Sequence, residues 1–94
     1  MFAWMYILRL KSGGVYIGSS TDIERRYAEH IAGNACRTTS IDPPIKLVYA
    51  ERFDALPLAK NRELQVKRWT RAKKEALISG DKDALKSLSR SRHG

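Results

Sequence analysis

Residues 4–19 read Trp4-Met5-Tyr6-Ile7-Leu8-Arg9-Leu10-Lys11-Ser12-Gly13-Gly14-Val15-Tyr16-Ile17-Gly18-Ser19. Two aromatic and aliphatic runs, 4–10 and 15–19, flank the turn signal Lys11-Ser12-Gly13-Gly14 and are expected to be strands. Strands this close pair as a β-hairpin, because parallel strands need a crossover of a dozen residues or more. The turn sets the relation of the two tyrosines. A three-residue loop, Ser12-Gly13-Gly14, with glycine in the left-handed conformation pairs Lys11 with Val15 and puts Tyr6 and Tyr16 on one face. A two-residue loop at Ser12-Gly13 puts them on opposite faces. Gly18 leaves space beside Tyr16 for a close backbone or ligand approach.

Beyond the hairpin, Thr21-Asp22-Ile23-Glu24 opens a helix, with Thr21 as the cap and Glu24 completing a capping box. Ile23, Tyr27 and Ile31 recur at i, i+4 and i+8 as an apolar stripe facing the core, and Gly33-Asn34 ends the helix. Residues 34–44 are polar, carry Asp42-Pro43-Pro44 and read as a loop. Ile45 to Ala50 is the third strand. Helices are expected over 56–69, 70–79 and, shorter and amphipathic, 81–89; the basic tail 89–94 is expected to fray. The order β-β-α-β-α-α predicts an α+β fold with helices packed on a small sheet.

Ninety-four residues hold one domain, and 43% hydrophobic residues suffice for one ordinary core. Eighteen Lys and Arg against 10 Asp and Glu give a charge of +8, which favours a polyanionic partner. The lone Cys36 makes no internal disulfide and has no partner at zinc-ligand spacing. No apolar run approaches the ~20 residues of a membrane span. The start, Met1-Phe2-Ala3-Trp4-Met5-Tyr6, lacks the basic start and cleavage site of a signal peptide. A cytoplasmic protein without a membrane partner is the expectation. The phosphate loop with Gly-Lys, the Gly-x-Ser-x-Gly elbow and the paired metal-binding histidines are all missing, so no nucleotide cofactor is expected.

Three features carry possible chemistry. Asp22, Arg26 and His30 lie at i, i+4 and i+8, beside the apolar stripe. Arg26 and His30 together can hold a phosphate; equally, this is a solvated face with an Asp22–Arg26 surface pair. On the second long helix, Ala59, Glu63 and Val66 lie at i, i+4 and i+7, with Leu56, Leu58 and Trp69 nearby. Glu63 therefore sits at the margin of an apolar stripe, where a bare carboxylate is too costly. It either bridges to Lys67 or ligates a divalent metal. From Lys60 to Lys74, seven cations (Lys60, Arg62, Lys67, Arg68, Arg71, Lys73 and Lys74) stand against the single anion Glu63. Such a run contacts phosphates without reading sequence, or is a solvated face.

Taken together, Trp4-Met5-Tyr6-Ile7-Leu8, Val15-Tyr16-Ile17-Gly18-Ser19 and the helix from Asp22 to His30 resemble the GIY-YIG nuclease domain. The similarity continues through Lys46-Leu47-Val48-Tyr49 and Ala59-x-x-Arg62-Glu63-x-x-x-Lys67, and covers roughly residues 3–79. It is nearest to the small stand-alone bacterial members, with 1–80 as the nuclease domain and 81–94 as a short helix and tail. The resemblance implies a small three-stranded mixed sheet flanked by helices, and divalent-metal-dependent cleavage of a phosphodiester. By position, Tyr6 matches the tyrosine of the first motif, and Tyr16 and Gly18 match the second. Arg26 and His30 match the arginine and the His or Tyr one turn later on the following helix, and Glu63 the metal-binding glutamate. In the first motif only the tyrosine of the family pattern survives. Position 75 is Glu where many family nucleases carry Asn.

The mechanism this implies is hydrolysis with one Mg²⁺ or Mn²⁺ on Glu63, completed by waters and phosphate oxygens. Arg26 would stabilise the transition-state charge and Tyr16 would deprotonate the attacking water, helped by Arg26 and the ion. Tyr6 would orient the water, and His30 would relay the proton or bind phosphate. The substrate is expected to be nucleic acid, DNA before RNA, cut with structural preference or weak sequence specificity, as in repair or recombination. Gly18 and the seven cations would line its path. The competing class is a non-catalytic nucleic-acid binder on the same scaffold.

Overall fold

The computed structural model describes residues 1–91, with side chains through Leu88. Strands β1 (Ala3–Leu10) and β2 (Val15–Ser20) form the hairpin. Helix α1 (Ile23–Ile31) and a short helix α2 (Arg37–Ile41) precede strand β3 (Pro44–Phe53). Helices α3 (Leu56–Lys67), α4 (Arg71–Ser79) and α5 (Lys82–Ser91) follow. Residues 92–94, the end of the expected frayed tail, lie outside the described residues. The fold is α+β, and among the described residues no helix is long and apolar enough to cross a membrane.

The sheet order is β2-β1-β3, and both pairings are antiparallel. The expected mixed sheet is therefore corrected. β2 and β3 do run the same way, but β1 lies between them, so no parallel pair forms. In the hairpin Tyr6 faces Gly18 and Leu8 faces Tyr16. The loop is three residues long, as one reading expected, but starts one residue earlier. Leu10 N–H donates to the Gly14 carbonyl (2.9 Å), enclosing Lys11, Ser12 and Gly13. Gly13 takes the left-handed conformation at φ 95°, which a side chain would resist. The shift moves the Lys11–Val15 pairing to Arg9–Val15 and keeps both tyrosines on one face.

Two cores follow from the period-2 alternation of β1. Met5 and Ile7 point to one face, where Ile17, Val66 of α3 and Leu77 of α4 close over them with Trp69. Tyr6, Leu8 and Leu10 point to the other, with Tyr16, Leu47, and Ile23 and Tyr27 of α1. Burying each large apolar side chain stabilises by about 1.5–3 kcal/mol.

Helix α1 differs from its expected form at both ends. Asp22, not Thr21, is the cap: its carboxylate accepts the Arg25 N–H at 3.1 Å. That places Arg25 rather than Glu24 at the reciprocal position, so there is no capping box. Asp22 is thereby spent on the backbone and does not pair with Arg26. Ile31 is 55% exposed, whereas His30 is fully buried. The inward face is Ile23, Tyr27 and His30, spaced i, i+4 and i+7.

Candidate active site

The tyrosines meet across Gly18. A Cβ on Gly18 would lie 2.5 Å from the Tyr6 hydroxyl and 3.2 Å from the Tyr16 ring. The hairpin thus packs both phenols against bare backbone. Tyr6 is 2% exposed, and Tyr16 is half-buried.

His30 reaches this face from α1. Its Nε2 lies 2.8 Å from the Tyr6 hydroxyl, and its ring centroid is 4.9 Å from that of Tyr16. Burial and the neighbouring Arg26 cation lower the imidazole pKa, against a smaller opposing pull from Glu29. His30 is therefore neutral at pH 7. Burial pushes the Tyr6 hydroxyl above the usual tyrosine range, and the adjacent Arg26 guanidinium partly offsets this. Arg26 also holds Glu29 at 3.2 Å on the half-exposed side of α1.

Behind His30 stand two residues that sequence reading assigned to a loop. Thr39 Oγ1 lies 2.8 Å from His30 Nδ1 and 3.4 Å from Cys36 Sγ. Thr39 is 1% exposed. Both belong to the α2 turn, Cys36 as its cap residue. Burial opposes ionisation of the Cys36 thiol, but hydrogen bonds from Thr39 and Tyr16 outweigh it and the thiol pKa falls. The Tyr16 hydroxyl is raised strongly, first by burial, then by Cys36. The net shift of Tyr16 is upward, the opposite of the acidification expected from Arg26, whose guanidinium lowers Tyr6.

Glu63 completes the set from α3. It is 9% exposed, between Ala59 and Val66 on the inward face. Ser19 Oγ donates to its Oε1 at 2.6 Å, and Lys67 Nζ lies 2.6 Å from its Oε2. Burial would raise its pKa, but Lys67, Ser19 and Lys60 overcome this, so the carboxylate is ionised. Its charge reaches both tyrosine hydroxyls and raises them. A hairpin, a helix and a second helix, far apart in sequence, therefore converge on one spot.

A divalent ion fits this carboxylate in one way. Among the described residues no group of three or more His, Cys, Asp or Glu gathers around a point. Mg²⁺ needs only one or two carboxylates when waters and phosphate oxygens fill its shell. Glu63 supplies one, on condition that the Lys67 ammonium leaves Oε2. The Lys67 side chain is 46% exposed and free to swing outward.

The cation run does not form one face. Arg62 hydrogen-bonds Glu51 at 3.0 Å and sits 5.0 Å from the Trp69 ring centroid. Lys73 is 7% exposed, its ammonium 4.0 Å from the centroid of the same ring. Arg68 and Lys73 line an open groove of about 530 Å³ with Asn61, Gln65 and Trp69. Arg71 and Lys74 line another of about 240 Å³ with Gly14, Val15 and Glu75. Lys60 and Lys67 belong with Glu63. Gly18 is a packing glycine under Tyr6.

Residues 2–76 match the GIY-YIG catalytic domain. The chain belongs to the GIY-YIG family. A UPF0213 protein of Natronomonas pharaonis is 40% identical over 83% of this chain and 92% of its own. One of Staphylococcus saprophyticus is 41% identical over 81% and 93%. The solution NMR structure of a UPF0213 protein from Bacillus halodurans is 36% identical, covers 86% of each chain and superposes with a TM-score of 0.56. The GIY-YIG domain is a nuclease domain, which gives the tyrosine, histidine and carboxylate cluster its chemical context.

Proposed function

We propose that this GIY-YIG protein is a divalent-metal-dependent endonuclease that hydrolyses phosphodiester bonds of nucleic acid, DNA before RNA. One arrangement supports the reading: Glu63 on α3 takes the Ser19 hydroxyl of β2 at 2.6 Å, while on the same hairpin Tyr6 lies 2.8 Å from His30 of α1 and the Tyr16 ring packs beside that imidazole.

Each residue then has a task. Glu63 holds Mg²⁺ or Mn²⁺, which when bound polarises the scissile phosphate and stabilises the leaving oxygen. Arg26, half-exposed and fixed near Tyr6, places positive charge where the transition state gains negative charge. Tyr16, the more accessible phenol, orients the attacking water, and would take its proton only once a bound cation had drawn off the phenol's own proton against the upward shift from burial and Cys36. Tyr6 passes its own hydroxyl proton to neutral His30. Lys60, Arg68, Arg71 and Lys74 track the phosphate backbone on either side, and supply affinity without base recognition. Weak sequence specificity and a preference for nucleic-acid structure follow, suited to repair or recombination.

A second reading has one observation in its favour. Both Glu63 oxygens already have partners in Ser19 and Lys67. That arrangement suits a nucleic-acid binder that does not cut. The test incubates the protein and Glu63→Ala with Mg²⁺ or Mn²⁺ and labelled single-stranded, duplex, nicked, flapped and branched DNA, and RNA. Cleavage by the wild type that vanishes in Glu63→Ala supports the nuclease. Salt-sensitive binding by both proteins without cleavage supports the binder.

A further inference from the structure

We propose that Thr39 is a positioning residue: its hydroxyl accepts the Nδ1–H of His30 and so presents Nε2 as the acceptor for the Tyr6 hydroxyl. This rests on the nuclease reading for its catalytic meaning, though not for its geometry.

Four side chains stand in hydrogen-bonding sequence from Tyr6 to Cys36. Tyr6 OH and His30 Nε2 are 2.8 Å apart, His30 Nδ1 and Thr39 Oγ1 are 2.8 Å apart, and Thr39 Oγ1 and Cys36 Sγ are 3.4 Å apart. A neutral imidazole carries one N–H, and each hydroxyl has one proton to give. Two directions are conceivable. In one, Tyr6 O–H donates to Nε2, Nδ1–H donates to Thr39, and Thr39 O–H donates to Cys36 sulfur. In the other, Thr39 O–H donates to Nδ1 and Nε2–H donates to the Tyr6 oxygen.

The second direction strands a proton. Among the described residues the Tyr6 hydroxyl has no hydrogen-bond acceptor other than His30, so its own proton would be left without one. Tyr6 is 2% exposed, so water is a poor substitute partner. A buried polar hydrogen without an acceptor costs about 1–3 kcal/mol. The first direction leaves no group wanting, in keeping with the described residues, where every buried side-chain N or O atom has a partner. It also gives the Thr39 hydroxyl proton an acceptor in the Cys36 sulfur 3.4 Å away, a contact whose geometry allows either atom to donate.

The chemistry that results is specific. With Nε2 bare, His30 can receive the Tyr6 proton as negative charge builds on the phenol oxygen. With the other tautomer, His30 could only donate to Tyr6 and the relay would run backwards. Thr39 therefore acts through His30 rather than on substrate. Thr39 is the buried residue of helix α2, a five-residue turn without a side-chain cap hydrogen bond.

The experiment measures the His30 tautomer by long-range nitrogen–proton NMR correlation in the wild type, Thr39→Val and Thr39→Ser, at pH 7.5, alongside cleavage kinetics. The wild type should show a protonated Nδ1 and a bare Nε2. Thr39→Val keeps the shape and removes the hydroxyl; it should give mixed tautomers and lower kcat about five- to tenfold, the worth of one neutral hydrogen bond, with KM unchanged. Thr39→Ser should restore both. A protonated Nε2 in the wild type overturns the proposal, and so does Thr39→Val with wild-type tautomer and kcat. The wild-type spectrum decides even where Thr39→Val fails to fold. It also decides where no substrate is cut, so the Thr39 assignment and the nuclease reading fail separately.

Discussion

Arg9 on β1 and Glu75 on α4 face each other fork to fork, with two hydrogen bonds of 2.7 and 2.6 Å. The same guanidinium donates to the Gly13 carbonyl in the hairpin turn at 3.0 Å. This ties the fourth helix to the strand that carries Tyr6. It also explains the carboxylate at position 75, where many family nucleases carry Asn: here the residue answers an arginine. The pair is partly solvated, so Glu75→Gln should cost about 1 kcal/mol and lower Tm by roughly 4–8 °C. Arg9 holds the Glu75 pKa below its ordinary value. The unfolded chain therefore takes up this proton first as pH falls, and the stabilisation present above the unfolded value is lost below it. Denaturant melts at pH 7 and pH 3.5 should show the variant and wild type converging at the lower pH.

Gly18→Ala tests the floor of the tyrosine site. Its new methyl would collide with a buried phenol held by His30, so the ring cannot simply move aside. A loss of about 1–3 kcal/mol is expected, together with a changed Tyr6 ring environment in NMR. Gly14→Ala is the control. Its Cβ would meet only Ser12 Oγ, at 3.4 Å, so stability should stay within about 0.5 kcal/mol.

His30 makes stability depend on pH in a defined direction. Its folded pKa lies below the unfolded value of 6.5. Below that value the unfolded state binds the proton and the folded state resists it, so stability falls as pH drops. Thermal melts from pH 7.5 to 5.0 should decline, and His30→Gln should flatten the part of the slope near pH 6. A wild-type profile level across that range would contradict the buried neutral imidazole.

Lys67→Ala removes the ammonium that occupies Glu63 Oε2. Calorimetric titration with Mn²⁺ should then show severalfold tighter binding than in the wild type, and Glu63→Gln should abolish it. Weaker binding in Lys67→Ala would mean that the lysine orients the carboxylate rather than competing for it.

Arg26→Ala should lower kcat by about 10²–10³-fold, the usual cost of losing one donor aimed at transition-state charge. Stability should change little, because the Arg26–Glu29 pair is half-exposed. Arg26→Lys should restore only part of the rate, since an ammonium lacks the planar fork.

The hairpin was legible because its turn chemistry and strand alternation agree. Either three-residue loop keeps Tyr6 and Tyr16 on one face, so the one-residue shift left that expectation standing. The inward position of Glu63 was legible too, since i, i+4, i+7 spacing with Ala59 and Val66 admits few alternatives. Helix α2 was not. Arg37-Thr38-Thr39-Ser40-Ile41 has no apolar period, and its one buried side chain, Thr39, meets His30, a contact that sequence does not display. Ile31 was misread for the same reason: hydrophobicity favoured it as the inward residue, and two hydrogen bonds to His30 decided otherwise. The cation run misled in part, because Trp69 takes Arg62 and Lys73 as ring neighbours. The mixed sheet came from the resemblance and failed on strand order, which depends on the path of the chain after β2.

That strand order has a consequence for how the chain is made. β1 is the middle strand and also the first to be synthesised, and its Met5, Tyr6, Ile7 and Leu8 are each no more than 2% exposed when folding is done. One edge is covered almost at once by β2. The other waits for β3, whose Phe53 pairs with Ala3. At ordinary elongation rates that wait is on the order of a few seconds. Until β3 arrives, the apolar residues of β1 and its second hydrogen-bonding edge have no partner from the sheet, and an unpaired strand edge is apt to pair with a neighbouring copy. Soluble yield should therefore respond to translation speed between residues 20 and 53.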